Sequence, residues 1–63
     1  MPATKRELMI LKRRLFAVRT EMQALATEAQ RMGEDSLAWR LLNIVRRLTG
    51  ELDFVDNLLG RLP

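Results

Sequence analysis

Cysteine and histidine are both absent from this 63-residue chain, and the two absences remove much of protein chemistry at once. Without cysteine there is no disulfide and no thiolate metal site. Without histidine there is no zinc site of the usual kind, no Glu-x-x-His di-iron bundle and no ready general base. Glycine occurs three times, each time alone, so no glycine-rich loop is present to cradle a phosphate. The single serine, Ser36, reads as a helix cap and has no histidine to activate it. No cofactor, metal or catalytic set is expected, and the chain reads as a non-enzyme.

Long apolar runs are missing too. Nothing reaches the roughly 18 apolar residues of a membrane span. The start, Met1-Pro2-Ala3-Thr4-Lys5-Arg6, does not read as a signal peptide, because Glu7 and Lys12-Arg13-Arg14 interrupt the segment after it. A soluble, cytoplasmic protein without membrane insertion is expected. Residues 1–63 form a single domain at most. One helical seam gives so short a chain a marginal core. Burial at roughly 25 cal/mol per Å² barely offsets an ordering entropy of about 1.5 kcal/mol per residue. With neither disulfide nor metal, association is the remaining route to stability.

The strongest positive signal is a mirrored apolar repeat. Leu8, Leu11, Leu15, Val18, Met22, Leu25, Ala29 and Met32 step by alternating fours and threes, and so do Ala38, Leu41, Val45, Leu48, Leu52, Val55, Leu59 and Leu62. This is the a/d period of a helical seam. Folding the chain back at Gly33–Ser36 pairs the two series in eight layers, Met32 with Ala38 through to Leu8 with Leu62, and the paired numbers always add to 70. The fold predicted is all-α: an antiparallel two-helix hairpin, about 4–32 and 36–60, expected to dimerise into a four-helix bundle. Thr4 and Glu7 form a capping box at the first helix. Gly33 is placed to end that helix, with Arg31 against its C-terminal dipole, and Asp35 or Ser36 is placed to cap the second. Gly60 and Pro63 mark the end. Gly50 is costly inside a helix, by about 1 kcal/mol, and a break there would make three helices. The heptad phase crosses Gly50 undisturbed, which favours one continuous helix.

The seam leaves other residues to explain. Ile10, Ala17, Leu37, Ile44, Phe54 and Leu58 form a second apolar stripe, expected to be the interface with a second copy or with a helical protein partner. Glu21 and Glu51 lie on this side with Arg14 and Arg47 nearby, which reads as a solvated or intersubunit Arg–Glu network and not a metal site. The other side carries Met9, Phe16, Trp39 and Leu42. Trp39 reads as cover for the loop end of the seam or as an interface anchor. Charge is uneven. Residues 1–20 hold six cations against Glu7, and the remainder holds five arginines against seven acids. Lys5, Lys12, Arg13 and Arg19 around Phe16 suggest a nucleic-acid face, phosphate neutralisation joined to an aromatic contact. Solvation of these charges is the simpler reading, and Lys12 is expected to face Asp56 across the hairpin. A membrane-surface role is disfavoured because the apolar side of the first helix is used by the seam.

Three families resemble parts of this pattern. The stretch Leu48-Thr49-Gly50-Glu51-Leu52-Asp53-Phe54-Val55-Asp56-Asn57-Leu58-Leu59-Gly60-Arg61-Leu62 is similar to the second helix of the small co-chaperones that hold type III secretion needle subunits in the cytoplasm. Arg31-Met32-Gly33 is similar to their turn. This resemblance implies a non-enzymatic, partner-holding role. Thr4-Lys5-Arg6-Glu7 and Phe16 resemble the first helix of the Rop family of plasmid copy-control proteins, dimeric hairpins that bind paired RNA loops. Superposing these residues puts the a/d phases out of step, so the similarity is one of layout. Thr49-Gly50-Glu51-Leu52-Asp53 resembles the Ser-Gln-Glu-Leu-Asp motif of the short hairpin phosphatases of sporulation phosphorelays, with glycine where that motif has its amide. The function expected is a protein–protein interaction module, an adaptor or small chaperone. The alternative is a dimeric RNA- or DNA-binding regulator using the basic face of the first helix.

Overall fold

The computed structural model describes residues 3–63. It consists of α1, Lys5–Arg31, and α2, Asp35–Arg61, packed antiparallel along their length. The hairpin measures 48 × 17 × 15 Å, in keeping with helices of about 40 Å at 1.5 Å per residue. Neither described helix is long and apolar enough to cross a membrane.

Local chemistry accounts for the ends of α1. The Thr4 hydroxyl accepts from the Glu7 amide at 3.2 Å, and Glu7 Oε1 accepts from the Thr4 amide at 3.1 Å. That reciprocal pair satisfies two amides that the first turn cannot. At the other end Gly33 takes φ +82°, a left-handed conformation that glycine enters without a β-carbon penalty. The Glu34 amide then donates to Ala29 carbonyl at 2.9 Å and the Gly33 amide to Gln30 carbonyl at 3.1 Å. These are the two bonds of a Schellman turn.

That turn corrects the expected start of α2. Because Glu34 completes the Schellman bonds, the next helix begins at once, with Glu34 in the cap position through its backbone carbonyl, which accepts from Ala38 at 2.9 Å. Asp35 and Ser36 lie inside the first turn and neither caps it. α2 passes through Gly50 without a break and continues through Gly60 to Arg61, one residue beyond the expected end. Gly60 keeps a helical backbone there, so the glycine does not act as a stop.

The seam itself is half as expected. On α2 the mirrored series holds: Ala38, Val45, Leu52 and Val55 are buried, and Leu41, Leu48, Leu59 and Leu62 are half-buried. On α1 the phase differs. Leu8, Leu15, Met22 and Ala29 face the partner helix, but their companions are Lys12, Arg19 and Ala26. Ala26 is 2% exposed, whereas Leu11, Val18 and Leu25 are 48%, 45% and 43% exposed. α1 is thus turned by about 50°, half of one residue's 100° step, from the orientation that hydropathy favours.

The side chains show why. The stems of Lys12 and Arg19 lie along the edge of the seam and their heads find partners across it. Lys12 Nζ is 2.5 Å from an Asp56 carboxylate oxygen, and Arg19 Nε donates to the Thr49 hydroxyl at 2.8 Å. Ala26 adds a small surface on the same line. Two helices share a single contact strip, whereas the apolar arc of α2 spans Leu37/Ile44/Leu58 as well as its seam positions. One strip cannot bury both arcs. The remainder is left open on one side.

Candidate functional site

The open side is a mainly apolar face, interrupted by one charge, Glu51. It is built from Leu11, Val18, Leu25 and Met32 of α1 with Leu37 and Ile44 of α2, all exposed, and from half-buried Leu58. Four of these seven are positions that the mirrored repeat assigns to the hairpin's own core. Of the interface residues expected from sequence, Leu37, Ile44 and Leu58 belong to this face. Phe54 stands on its α2 edge, exposed. Ile10 and Ala17 do not join it. Two residues correspond to about 200° of rotation, so Ala17 lies opposite the seam residues Leu15 and Arg19, on the far side of α1.

Two charged rows border the face. Glu7, Arg14, Glu21 and Glu28 recur at heptad spacing along α1, and Arg40, Arg47, Phe54 and Arg61 do so along α2. All eight are exposed. Glu28 pairs within its own helix with Arg31. Glu7 is engaged through Oε1 by the Thr4 amide and also by its hydroxyl at 2.9 Å, while Oε2 has no partner among the described residues. The bond from the Thr4 backbone amide, followed by that from its hydroxyl, holds the Glu7 carboxyl below the ordinary glutamate range. Glu21 and Glu51 are both exposed, and no cluster of three acidic side chains able to hold a metal ion occurs among the described residues.

The opposite side holds a different feature. Lys5, Met9, Lys12, Arg13, Phe16 and Leu59 line an open groove of about 440 Å³, and Phe16 is 55% exposed within it. The structure thus brings together four of the five residues expected to form a basic face. Arg19 is not among them, because its guanidinium is turned across the seam to Thr49. Lys12 lines the groove while held by Asp56, so Lys5 and Arg13 are its remaining cations. Trp39 is exposed and does not seal the loop end. It borders a shallow recess with Gln30, Asp35, Ala38 and Leu42.

Of the residues that resemble a phosphatase motif, Thr49 and Leu52 face the seam, and Gly50, Glu51 and Asp53 are exposed. The Thr49 hydroxyl donates to the Val45 carbonyl at 3.0 Å while accepting from Arg19, and Leu52 is buried in the seam. The Thr49 hydroxyl hydrogen is therefore committed to its own helix. The outward-turned Leu11, Val18, Leu25 column was missed from sequence as a surface feature. The one signal that pointed to it was the level of Lys12 with Asp56, whose numbers add to 68 and not 70. Comparison with protein-family models, curated proteins and solved structures finds no match for this chain.

Proposed function

We propose that this hairpin is a non-enzymatic protein–protein interaction module, an adaptor or small chaperone of the cytoplasm, that self-associates or docks on a helical partner. The observation that carries this reading is the open face. Leu11, Val18, Leu25, Met32, Leu37 and Ile44 make an apolar stripe running most of the length of a 48 Å molecule. A stripe of that extent is unusual on a monomer and marks an interaction site. A second helical pair laid against it would complete a four-helix bundle, and the core of the free hairpin has every reason to recruit one. Its buried residues are mostly alanine and valine, and no large side chain is fully buried among the described residues.

The test is a double substitution, Ile44→Glu with Leu58→Glu. Wild-type protein should sediment as an assembly, alone or with its helical partner, and the variant should dissociate while its helicity is retained. An assembly unchanged by the two charges would mean that a different surface mediates association.

A second reading, a nucleic-acid-binding regulator, is favoured by the groove in which Lys5 and Arg13 flank an exposed Phe16. The two readings separate on salt. Phosphate binding loses affinity steeply, with a log–log slope of about −0.7 to −0.9 per phosphate contact, whereas apolar docking does not weaken. Absence of any complex with RNA or duplex DNA at low salt removes the second reading.

A further inference from the structure

We propose that the occupant of the open face is a second copy of this chain, related by a twofold axis parallel to the helices, with α1 of each protomer beside α2 of its partner. The proposal rests on the interaction reading above and commits it to one partner and one geometry.

The α1 row, Glu7, Arg14, Glu21 and Glu28, is mainly acidic, and the α2 row, Arg40, Arg47, Phe54 and Arg61, contains no acid. Two twofold arrangements bury face against face with all neighbouring helices antiparallel. An axis at right angles to the helices lays α2 against the partner's α2. At any register this sets a row of arginines against the same row, which is repulsive. An axis parallel to the helices lays the acidic row of α1 against the arginine row of the partner's α2. Charge complementarity selects the second arrangement.

Symmetry then removes the register as a free choice. A twofold rotation has no translation along its own axis, so every residue keeps its height, and residues level within one hairpin are level across the interface. The hairpin sets that level through Lys12 with Asp56 and Arg19 with Thr49, numbers that add to 68. The same level brings Glu7 to the partner's Arg61, Glu21 to the partner's Arg47, and Glu28 to the partner's Arg40. Arg14 meets the partner's Phe54, a cation over an aromatic ring. Every ionic pair on this rim is of opposite sign, and the twofold repeats the set. Nothing in hairpin formation requires this correspondence, since the two rows of one hairpin do not touch each other in any ion pair among the described residues.

Inside the rims, Leu11 falls beside the partner's Leu58, Leu25 beside the partner's Ile44 and Met32 beside the partner's Leu37. Val18 meets the partner's Glu51, the one charge within the face, and Arg14 lies one turn away to receive it. Glu7 Oε2, without a partner among the described residues, is left for its arginine, and Glu28 is shared with Arg31.

The experiment uses the full chain and two single reversals, Glu21→Arg and Arg47→Glu. Each alone should weaken the dimer about tenfold by sedimentation equilibrium, because two rim contacts per dimer change from attraction to repulsion. An equimolar mixture of the two variants should form the mixed dimer in preference to either parent, read by native mass spectrometry. In that species both rim contacts are again of opposite charge. Spin labels on the Glu34→Cys variant supply an independent reading, the chain having no cysteine of its own. A parallel axis places the two turns within roughly two helix diameters, about 20 Å, whereas a perpendicular axis places them about a molecular length, 48 Å, apart.

A statistical mixture of dimers, or a label separation near the molecular length, overturns the geometry. A monomeric wild type that binds a helical partner through Ile44 and Leu58 overturns the homodimer and leaves the interaction module standing. Dimers indifferent to charge at Ile44 and Leu58 overturn both.

Discussion

Gly50 sits mid-way along α2, and its position is opposite the seam, half a turn from the line of Leu52 and Val55. A β-carbon built on it meets no heavy atom within 4 Å. Its backbone is helical, so alanine enters without strain, and Gly50→Ala changes little beyond the freedom of the unfolded chain. The gain expected is about 1 kcal/mol per protomer. At about 2.1 cal/mol/K per residue, the unfolding entropy of a chain of 63 residues is about 0.13 kcal/mol/K. The thermal midpoint should therefore rise by about 8 °C, followed by far-ultraviolet circular dichroism at fixed protein concentration. The same shift is expected for a dimer, because gain and entropy both double. The proposed interface excludes this position, so sedimentation should not change. An unaltered or lowered midpoint would refute the reasoning. A lowered one would mean that α2 breaks at Gly50 or that another backbone packs closely there.

Two further outcomes concern the ends of the helices. Gly33→Ala should destabilise the hairpin by about 1–2 kcal/mol, since space is open around the site and the penalty is the φ of +82° alone. It should appear as a lower urea midpoint with an unchanged m-value. Glu7 has a lowered pKa in the folded state, so its contribution is complete above the unfolded-state pKa and is lost as pH falls through the folded one. Acid titration of helicity should therefore show a step below the ordinary glutamate pKa of about 4.3 that Glu7→Gln removes. A step that survives the substitution would place the effect on another carboxylate.

How much of this was legible beforehand differs between the two helices. The phase of α2 was readable because its apolar arc is wide and continuous, so any reasonable seam lies within it. The same is true of the capping box and of Gly33, where the residue types admit few other roles. α1 was ambiguous. Its column Leu8, Leu15, Met22, Ala29 is flanked by Leu11, Val18, Leu25 on one side and Lys12, Arg19, Ala26 on the other. Hydropathy ranks the leucine column higher, yet long basic stems serve a seam edge well when their heads have partners. Those partners, Asp56 and Thr49, lie on the other helix, and a reading by hydropathy alone does not weigh them. Sequence places the cap of α2 at Asp35 or Ser36 because these are better capping residues than Glu34. The three-residue Schellman connection, Met32 to Glu34, leaves no room to use them. The open face followed directly from the phase of α1, so its α1 half could not be found until that phase was known. The basic groove was largely visible, with Arg19 the exception, for the same reason.

The Schellman turn also governs the order in which the hairpin can assemble. It lies at the centre of the chain, and each layer outward from it encloses only a few more residues than the layer before. Closing successive layers therefore adds little loop entropy at each step. Contacts this local belong to the fast class of folders. Once Gly33 has turned, Ala29 and Ala38 are the first buried residues available to meet, and pairing runs outward toward Leu8 and Leu62. The open end is then the last to close and the first to fray, on every cycle of opening that the native protein undergoes.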